Sequence, residues 1–260
     1  MTAQWEIVDE GWGRRAVDFA ALCEPQSCRE YVAMHQRLQI AGGVRLLDVA
    51  CGSGLAIELA RIQGATCSGI DASQRLVAVA CDRNPDCDIR VGDMLALPWD
   101  DESFDIVTSF RGIWGTTPEA VDEAHRVLVP GGRLAMTVWG DVKKSPGGWM
   151  MTPFRWATAE KVRHQGDMVA LGRPGAGEAF LAEHGFDVGE RFEVPFVLEF
   201  PDPETYARGL AATGPSFEAI QEVGEEEFIA RMTAHAAQRV REGLPLRGRI
   251  ELFGYIGTKR

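Results

Sequence analysis

No stretch of these 260 residues approaches the ~20 apolar residues that a membrane span requires, so no span is expected. The opening residues carry Glu6, Asp9 and Glu10 and lack an apolar core, so they do not read as a secretory signal. The cysteines (Cys23, Cys28, Cys51, Cys67, Cys81 and Cys87) include no C-x-x-C pair and have no histidine at ligand spacing. That pattern excludes a zinc framework and implies reduced, structural thiols in a cytoplasm. Basic blocks are also missing: 27 Lys and Arg stand against 38 Asp and Glu, and the charge of −11 excludes nucleic acid as a natural partner. There is no internal repeat and no low-complexity segment. What remains is 45% hydrophobic and 25% charged, the composition of a globular protein with material for one sizeable core.

Residues 1 to about 40 read as amphipathic helices anchored by Trp5, Trp12, Phe19 and Tyr31. From Val44 strands and helices alternate, which calls for βαβ units and a parallel sheet. Strands are expected at 44–49, 66–70, 88–91, 104–110 and 133–139. Helices are expected at 55–63, at 74–83 with Ser73 as N-cap, and from Pro118 to Leu128 with Thr117 as N-cap. Pro130-Gly131-Gly132 reads as a turn. Beyond Gly140 the pattern changes to loop and helix, then a helix at 177–184, an extended segment at 191–200, polar helices at 203–242 and a closing strand at 250–256. The Glu225–Glu227 run reads as a solvated helix start rather than a metal site. The chain is thus divided into a helical cap (1–40), a binding core (41–140), an acceptor-pocket or lid region (141–245) and a final strand (246–260).

Chemistry concentrates where the first strand ends. The run Val44 to Gly54 is a buried strand closing on a glycine turn that opens a helix, so bare backbone amides and a helix N-terminus face a small, partly anionic ligand. Asp48 interrupts the apolar run, where a carboxylate is costly unless something meets it. Asp48, Asp71 and Asp93 fall at the C-terminal ends of three successive strands, the edge that surrounds the ligand crevice of an open parallel sheet. Asp71 is placed to accept both hydroxyls of a ribose, Asp93 to accept from an exocyclic amine, and Ala72, Leu95 and Leu97 to sandwich a flat base.

The series LLDVACGSG, GIDAS, GDMLALPWDDESFDIVTSF and RVLVPGGRLAMTVW, covering 44–139 in order, resembles the class I S-adenosylmethionine-dependent methyltransferases. It is most similar to the branch of ubiquinone and menaquinone enzymes and other small-molecule methyltransferases. The family's D-x-G-x-G-x-G reads here Asp48-Val-Ala50-Cys-Gly52-Ser53-Gly54, with Ala50 replacing the first glycine. The resemblance implies a doubly wound α/β fold with a mostly parallel seven-stranded sheet, N-terminal helices and a C-terminal helical insert. It implies that Gly52 and Gly54 flank the methionine part of S-adenosylmethionine, with Ala50 and Ser53 beside them. Asp71 then holds the ribose hydroxyls, Asp93 and Met94, next to Gly92, read the adenine, and Phe110 and Arg111 lie near the sulfonium and the acceptor. The expected reaction is in-line methyl transfer to a small hydrophobic or aromatic acceptor, leaving S-adenosylhomocysteine.

Other readings stay open at this point. Asp48 either fixes the glycine loop through backbone N–H groups or meets the cofactor's ammonium group. A cofactor-binding regulator or a cofactor-assisted cyclase would use the same cradle. A dinucleotide oxidoreductase is disfavoured because Ile57 stands where its fingerprint needs a small residue. Cys51 lacks a base and reads as a loop residue. His35, His125, His164, His184 and His235 are the general-base candidates, each more readily explained structurally. Arg111, Trp114, Trp149 and Phe154 are candidates for the acceptor pocket, Arg111 as the holder of a carboxylate or enolate oxygen. Between a monomer and a homodimer the sequence does not choose.

Overall fold

The apolar run at 44–49 lies in the middle of the central sheet of the computed structural model, which describes residues 8–156 and 167–260. Strand β1 (Arg45–Val49) buries Leu46, Leu47 and Val49 almost completely, as a strand covered on both faces must. It pairs in parallel with β2 (Thr66–Asp71) on one side and β4 (Phe104–Phe110) on the other. Strand β3 (Asp88–Val91) extends the sheet beyond β2, and β5 (Leu128–Trp139) extends it beyond β4. The last strand, β10 (Leu252–Lys259), runs antiparallel between β5 and β6 (Phe186–Val188). The order is β3-β2-β1-β4-β5-β10-β6. The chain therefore winds outward from β1 and returns at β4, which makes the β1/β4 crevice the switch point.

The doubly wound α/β fold expected from the sequence is present. The seven-stranded expectation is exceeded, because β7 (Phe192–Glu193) also pairs with β10 and makes the sheet eight-stranded. The segment expected to be extended at 191–200 is broken between β7 and β8 (Val197–Glu199), and β8 forms a separate ribbon with β9 (Arg247–Arg249). The Pro130–Gly132 turn is absorbed into β5 as an irregularity, with register shifting between the Phe104–Leu128 and Ile106–Arg133 pairs.

Helix α3 (Leu55–Ile62) starts directly on the glycine turn and buries Ile57 and Ala60. Helix α4 (Gln74–Arg83) is capped as expected, the Ser73 hydroxyl accepting from the Leu76 N–H at 3.2 Å. Helix α5 (Pro118–Val127) has its expected N1 proline, but Thr117 does not cap it. The Thr117 hydroxyl donates instead to the Trp114 carbonyl at 2.9 Å, closing the preceding turn. Helix α6 (Ala176–Glu183) covers the same face as α5, with Leu181 and Tyr255 in that core.

The N-terminal cap is less regular than its amphipathic pattern suggests. A π-type turn at Asp9–Gly13, the three-residue α1 (Ala16–Asp18), a second π-type turn at Phe19–Cys23 and a 3₁₀ turn at Glu24–Ser27 lead into α2 (Cys28–Leu38). Trp5 lies outside the described residues. Tertiary contacts account for the breaks, because this segment bridges the core and the helical insert. Asp9 binds Ser73 and Arg75 at the start of α4. Arg15 pairs with Glu225, and Asp18 pairs with Arg208. The insert is α7 (Pro203–Ala211), α8 (Gly214–Val223) and α9 (Glu225–Arg241), which pack on the π-type turns at Asp9–Gly13 and Phe19–Cys23 and on the 148–156 segment, sharing one core with α2 and α3 and not with α5. The acidic run opens α9 as a solvated helix start, with Glu226 and Glu227 exposed, and Glu225 at its head, still 40% exposed, also pairs with Arg15. No helix among the described residues is long and apolar enough to cross a membrane.

Candidate functional site

The turn after β1 places Ala50, Gly52 and Gly54 at φ 61°, 56° and 79°. Alternate left-handed residues curl the chain so that its amides point inward from the sheet edge. Asp71, at the end of β2, clamps this curl: its carboxylate accepts from Gly52 N–H and Ser73 N–H, each at 2.8 Å. Loop fixing through backbone N–H groups, one of two roles open to Asp48, thus belongs to Asp71. Asp48 accepts instead from the Thr108 hydroxyl at 2.6 Å, across the β1/β4 crevice. Gly54 is small for a different reason from ligand approach. A Cβ there would lie 2.9 Å from Ala80 Cβ and 2.8 Å from Asn84 Nδ2, so the residue lets α4 close on α3.

Ala50 has its counterpart at Gly112, just past β4, where a Cβ would collide with the Ala50 methyl. The extra carbon at position 50 is thus accommodated by the missing one at 112. Gly112→Ala is expected to lower unfolding free energy by about 1–3 kcal/mol through overpacking. In an Ala50→Gly background that loss should shrink by at least half in denaturant titration, and equal losses in both backgrounds would refute the coupling.

The remaining cradle residues are dispersed along the same edge. Ala72 and Gly92 are half-buried. Asp93 is half-buried too, with one oxygen accepting from Leu95 N–H at 2.9 Å. Met94 packs partly against the α5-side core, and Leu97 is fully part of that core, so Leu97 does not flank the crevice. Ser53 is buried, its hydroxyl donating to Glu24, whose carboxylate also pairs with Arg83 at 2.7 Å.

Past β4, Phe110 packs its ring on Tyr31 at 4.6 Å and His35 at 6.0 Å. Arg111 adopts a left-handed φ of 62°, an unusual backbone for a residue with a Cβ. It is held there by the fully buried Glu30 at 2.9 Å and the Ser27 hydroxyl at 2.7 Å, both from the α2 side. Glu30 also accepts from Thr137. The guanidinium lies 5.3 Å from the Trp139 ring and 4.9 Å from that of Phe196. Trp114 donates its indole N–H to the Arg111 carbonyl at 2.9 Å. Trp149 belongs elsewhere, stacking on Tyr206 at 5.8 Å beside His235 and Arg239 in the helical insert. The Phe154 side chain and His164 lie outside the described residues.

Four carboxylates are thus buried around the crevice: Glu24, Glu30, Asp48 and Asp71. Two have arginine partners, whereas Asp48 and Asp71 have no cationic partner among the described residues. Burial pushes Asp48 up to about 8, with Glu24, Asp71 and Glu30 adding repulsion against the opposing Thr108 hydrogen bond. Burial also raises Asp71, against the Ser73 and Gly52 amides. Burial alone would lower Arg111, but Glu30 overrides it and the guanidinium is raised.

Cys51 is buried and its thiol pushed far up, which leaves no nucleophile. His35 is buried and pushed down to about 4, a neutral core residue. His184 pairs with Asp122 at 2.7 Å, and His235 meets the Trp149 carbonyl at 3.1 Å. Sequence reasoning missed Glu24, Glu30, Thr108 and Thr137. The last three carried the signal that exposed Asp48: a polar residue on an otherwise apolar buried stripe.

A family model described as a methyltransferase domain matches residues 47–136. A curated relative, 27-O-demethylrifamycin SV methyltransferase of Amycolatopsis mediterranei, is 33% identical over 199 residues, covering 70% of each chain. Demethylmenaquinone methyltransferase of Chlorobaculum tepidum is 36% identical over 109 residues, which are 40% of this chain and 45% of that protein. Among solved structures, geranyl diphosphate C-methyltransferase from Streptomyces coelicolor A3(2), in complex with Mg2+, geranyl-S-thiolodiphosphate and S-adenosyl-L-homocysteine, superposes with a TM-score of 0.53. It is 15% identical, over 88% of this chain and 75% of that one. At that identity the likeness is one of fold, and it is to the sequence relatives that the assignment is owed: the chain belongs to the methyltransferase family.

Proposed function

We propose that this chain transfers the methyl group of S-adenosylmethionine to a small, apolar or aromatic acceptor. The observation that carries this reading is the pair of buried carboxylates, Asp48 and Asp71, that have no cationic partner among the described residues and lie on either side of the glycine turn. Such an arrangement suits a ligand bearing an ammonium group and a ribose diol, and it is ill suited to the pyrophosphate of a dinucleotide. Ile57 adds to the second point, since it is fully buried against the Gly69 backbone and fills the strand–helix gap.

In this reading Asp48 faces the ammonium group. Asp71 keeps its two backbone partners and offers its remaining lone pairs to the ribose hydroxyls. Asp93 takes the adenine amine with the oxygen not held by Leu95. S-adenosylmethionine, when bound, supplies a methyl group on a sulfonium, which calls for an acceptor held in line rather than a catalytic triad. The residues around Phe110 and Arg111 hold that acceptor and shield it from water. Free thiols at all six cysteines accord with a reducing, cytoplasmic setting.

The test is incubation of the purified protein with isotopically labelled methyl donor and a panel of quinols, phenols, carboxylic acids and amines. Label in an extractable aromatic product is the expected result. Tight S-adenosylhomocysteine binding with no label transfer to any acceptor would favour a binding protein or cyclase. Quenching of tryptophan fluorescence by NADH alone would favour an oxidoreductase.

Asp48 makes the binding pH-dependent. In the unfolded chain it ionises near ~3.9, and in the fold its pKa is raised to about 8. Its contribution to stability is therefore complete below the unfolded value and is lost as pH rises toward the folded one. A cation placed beside it reverses the preference, so S-adenosylhomocysteine binding at pH 7 should release up to about one proton. Calorimetric enthalpies in phosphate and Tris buffers should then differ, and should converge in Asp48→Asn. Buffer-independent enthalpy in the unaltered protein would exclude Asp48 as the ammonium's partner.

A further inference from the structure

We propose that Cys67 and Cys87 are an oxidisable pair that closes a disulfide between β2 and β3 when the protein meets a peroxide, pinning β3 at the edge of the sheet. The inference stands apart from the methyl-transfer reading. Ser68 pairs with Asp88 in parallel register, so Cys67 and Cys87, each one position earlier, are neighbours across the two strands. Adjacent strands run about 4.8 Å apart, and a disulfide joins residues whose Cα atoms lie about 4.4–6.8 Å apart. Both side chains also serve one face: Cys67 is in the core shared with α3, and Cys87 packs against that core. Other thiols nearby are displaced along the strands. The Cys51 sulfur lies over Gly69, and the Cys81 sulfur is 3.8 Å from the Ile89 carbonyl. Each of those positions is two residues further on, or about 6.6 Å.

The two sulfurs differ in access, and that orders the chemistry. Cys87 is half-buried and Cys67 is only 4% exposed, so an oxidant in solution reaches Cys87 first. Arg61, near the end of α3, brings its guanidinium to the same corner, with Nη1 3.8 Å from the Asp86 carboxylate. Burial raises the Cys87 thiol, and Arg61 works against that rise. Burial pushes Cys67 up to about 12, so it is no target by itself. The Cys87 thiolate attacks hydrogen peroxide: the O–O bond breaks, an S–O bond forms, and a sulfenic acid and one water result. The Cys67 sulfur then attacks the Cys87 sulfur. The S–O bond breaks, an S–S bond forms, and hydroxide leaves with the Cys67 proton as a second water. Two thiols are oxidised and one peroxide is reduced.

The bridge acts on the least supported strand of the parallel core. Strand β3 has four residues and pairs with β2 alone, at the end of the sheet. Such a one-sided ladder opens more readily than a central one. It leads into Gly92 and Asp93 at the crevice edge. A disulfide at the start of the β2–β3 pair closes a loop of about 20 residues. It ties the ladder at the end remote from the crevice, four residues before Asp71, and so holds β3 without touching the cradle.

The test treats the full chain, without ligand, with hydrogen peroxide and then blocks the remaining thiols. Peptide mass spectrometry without reductant should find Cys67 joined to Cys87, and dithiothreitol should separate them. The oxidised protein should melt at least about 3 °C higher, and amide hydrogen exchange over 88–91 should slow at least about tenfold. Cys87→Ser, at a half-buried position, should form no bridge, and peroxide should leave its melting temperature unchanged. Cys67→Ala should instead accumulate a dimedone-reactive sulfenic acid at Cys87. Free thiols at both positions after peroxide, Cys87 bonded to Cys81 rather than Cys67, or a bridge that changes neither melting nor exchange would overturn the proposal. None of these readouts involves a methyl donor, so their failure and that of the methyl-transfer reading are distinct.

Discussion

Glu30→Ala will lower the free energy of unfolding by about 3–5 kcal/mol, the range found when one member of a buried ion pair is removed. Glu30 has no exposed surface, and it holds both the Arg111 guanidinium and the Thr137 hydroxyl. Its loss strands a mostly buried cation between Trp139 and Phe196, and leaves a hydroxyl in β5 without its acceptor. Glu30→Gln keeps a hydrogen-bonding oxygen for Thr137 but no countercharge, so its loss should be smaller and still exceed about 1 kcal/mol. The decisive comparison is the double replacement Glu30→Met with Arg111→Met, since exchanging a whole buried pair for apolar groups of similar size is often close to neutral. Denaturant unfolding should show the double variant recovering at least half of the single loss, with unchanged slope. A single-variant loss below about 1 kcal/mol would show that Arg111 finds another partner.

This pair also marks the limit of what the sequence displayed. Arg111 was visible because it follows β4 at the sheet's C-terminal edge, where any residue faces the crevice. Its partner was not, because Glu30 belongs to a cap whose path depends on contacts 81 residues apart in sequence. The strands at 44–49 and 104–110 were legible because a parallel strand buried on both faces is mostly apolar, and each of these short segments is aliphatic or aromatic at most positions, with few polar interruptions such as Asp48 and Thr108. The cap was not, because Gly11, Gly13 and Pro25 break its helical period while Asp9, Arg15 and Asp18 reach across to other elements. Trp149 was misleading for a related reason. Aromatic residues gather equally in a binding pocket and in a core, and this one packs into the insert against Tyr206.

Asp71→Ala carries the second large effect, and the fold changes what is expected of it. From the sequence alone Asp71 was a ribose ligand. In the structure each of its oxygens already accepts a backbone N–H, from Gly52 and from Ser73, at 2.8 Å. Hydrogen bonds to a charged group contribute about 1.5–3 kcal/mol each, and alanine would leave both amides without their acceptor. Two losses should therefore appear together: a lower unfolding midpoint, and S-adenosylhomocysteine affinity reduced at least about tenfold, or 1.4 kcal/mol. They separate by condition. Calorimetry at low temperature, where circular dichroism shows the variant still folded, reads the ligand contact alone, and denaturant titration without ligand reads the turn alone. Asp71→Asn retains one acceptor oxygen and turns an amide N–H₂ toward the other donor, so it should fall between alanine and aspartate in both measurements. Unchanged affinity in folded Asp71→Ala would mean that the carboxylate serves the glycine turn and not the ribose. An unchanged midpoint would mean the reverse, that the turn holds its left-handed curl without the clamp. Only when both fall does one carboxylate shape the cradle and grip its contents, and that is the outcome its two occupied oxygens and remaining lone pairs lead us to expect.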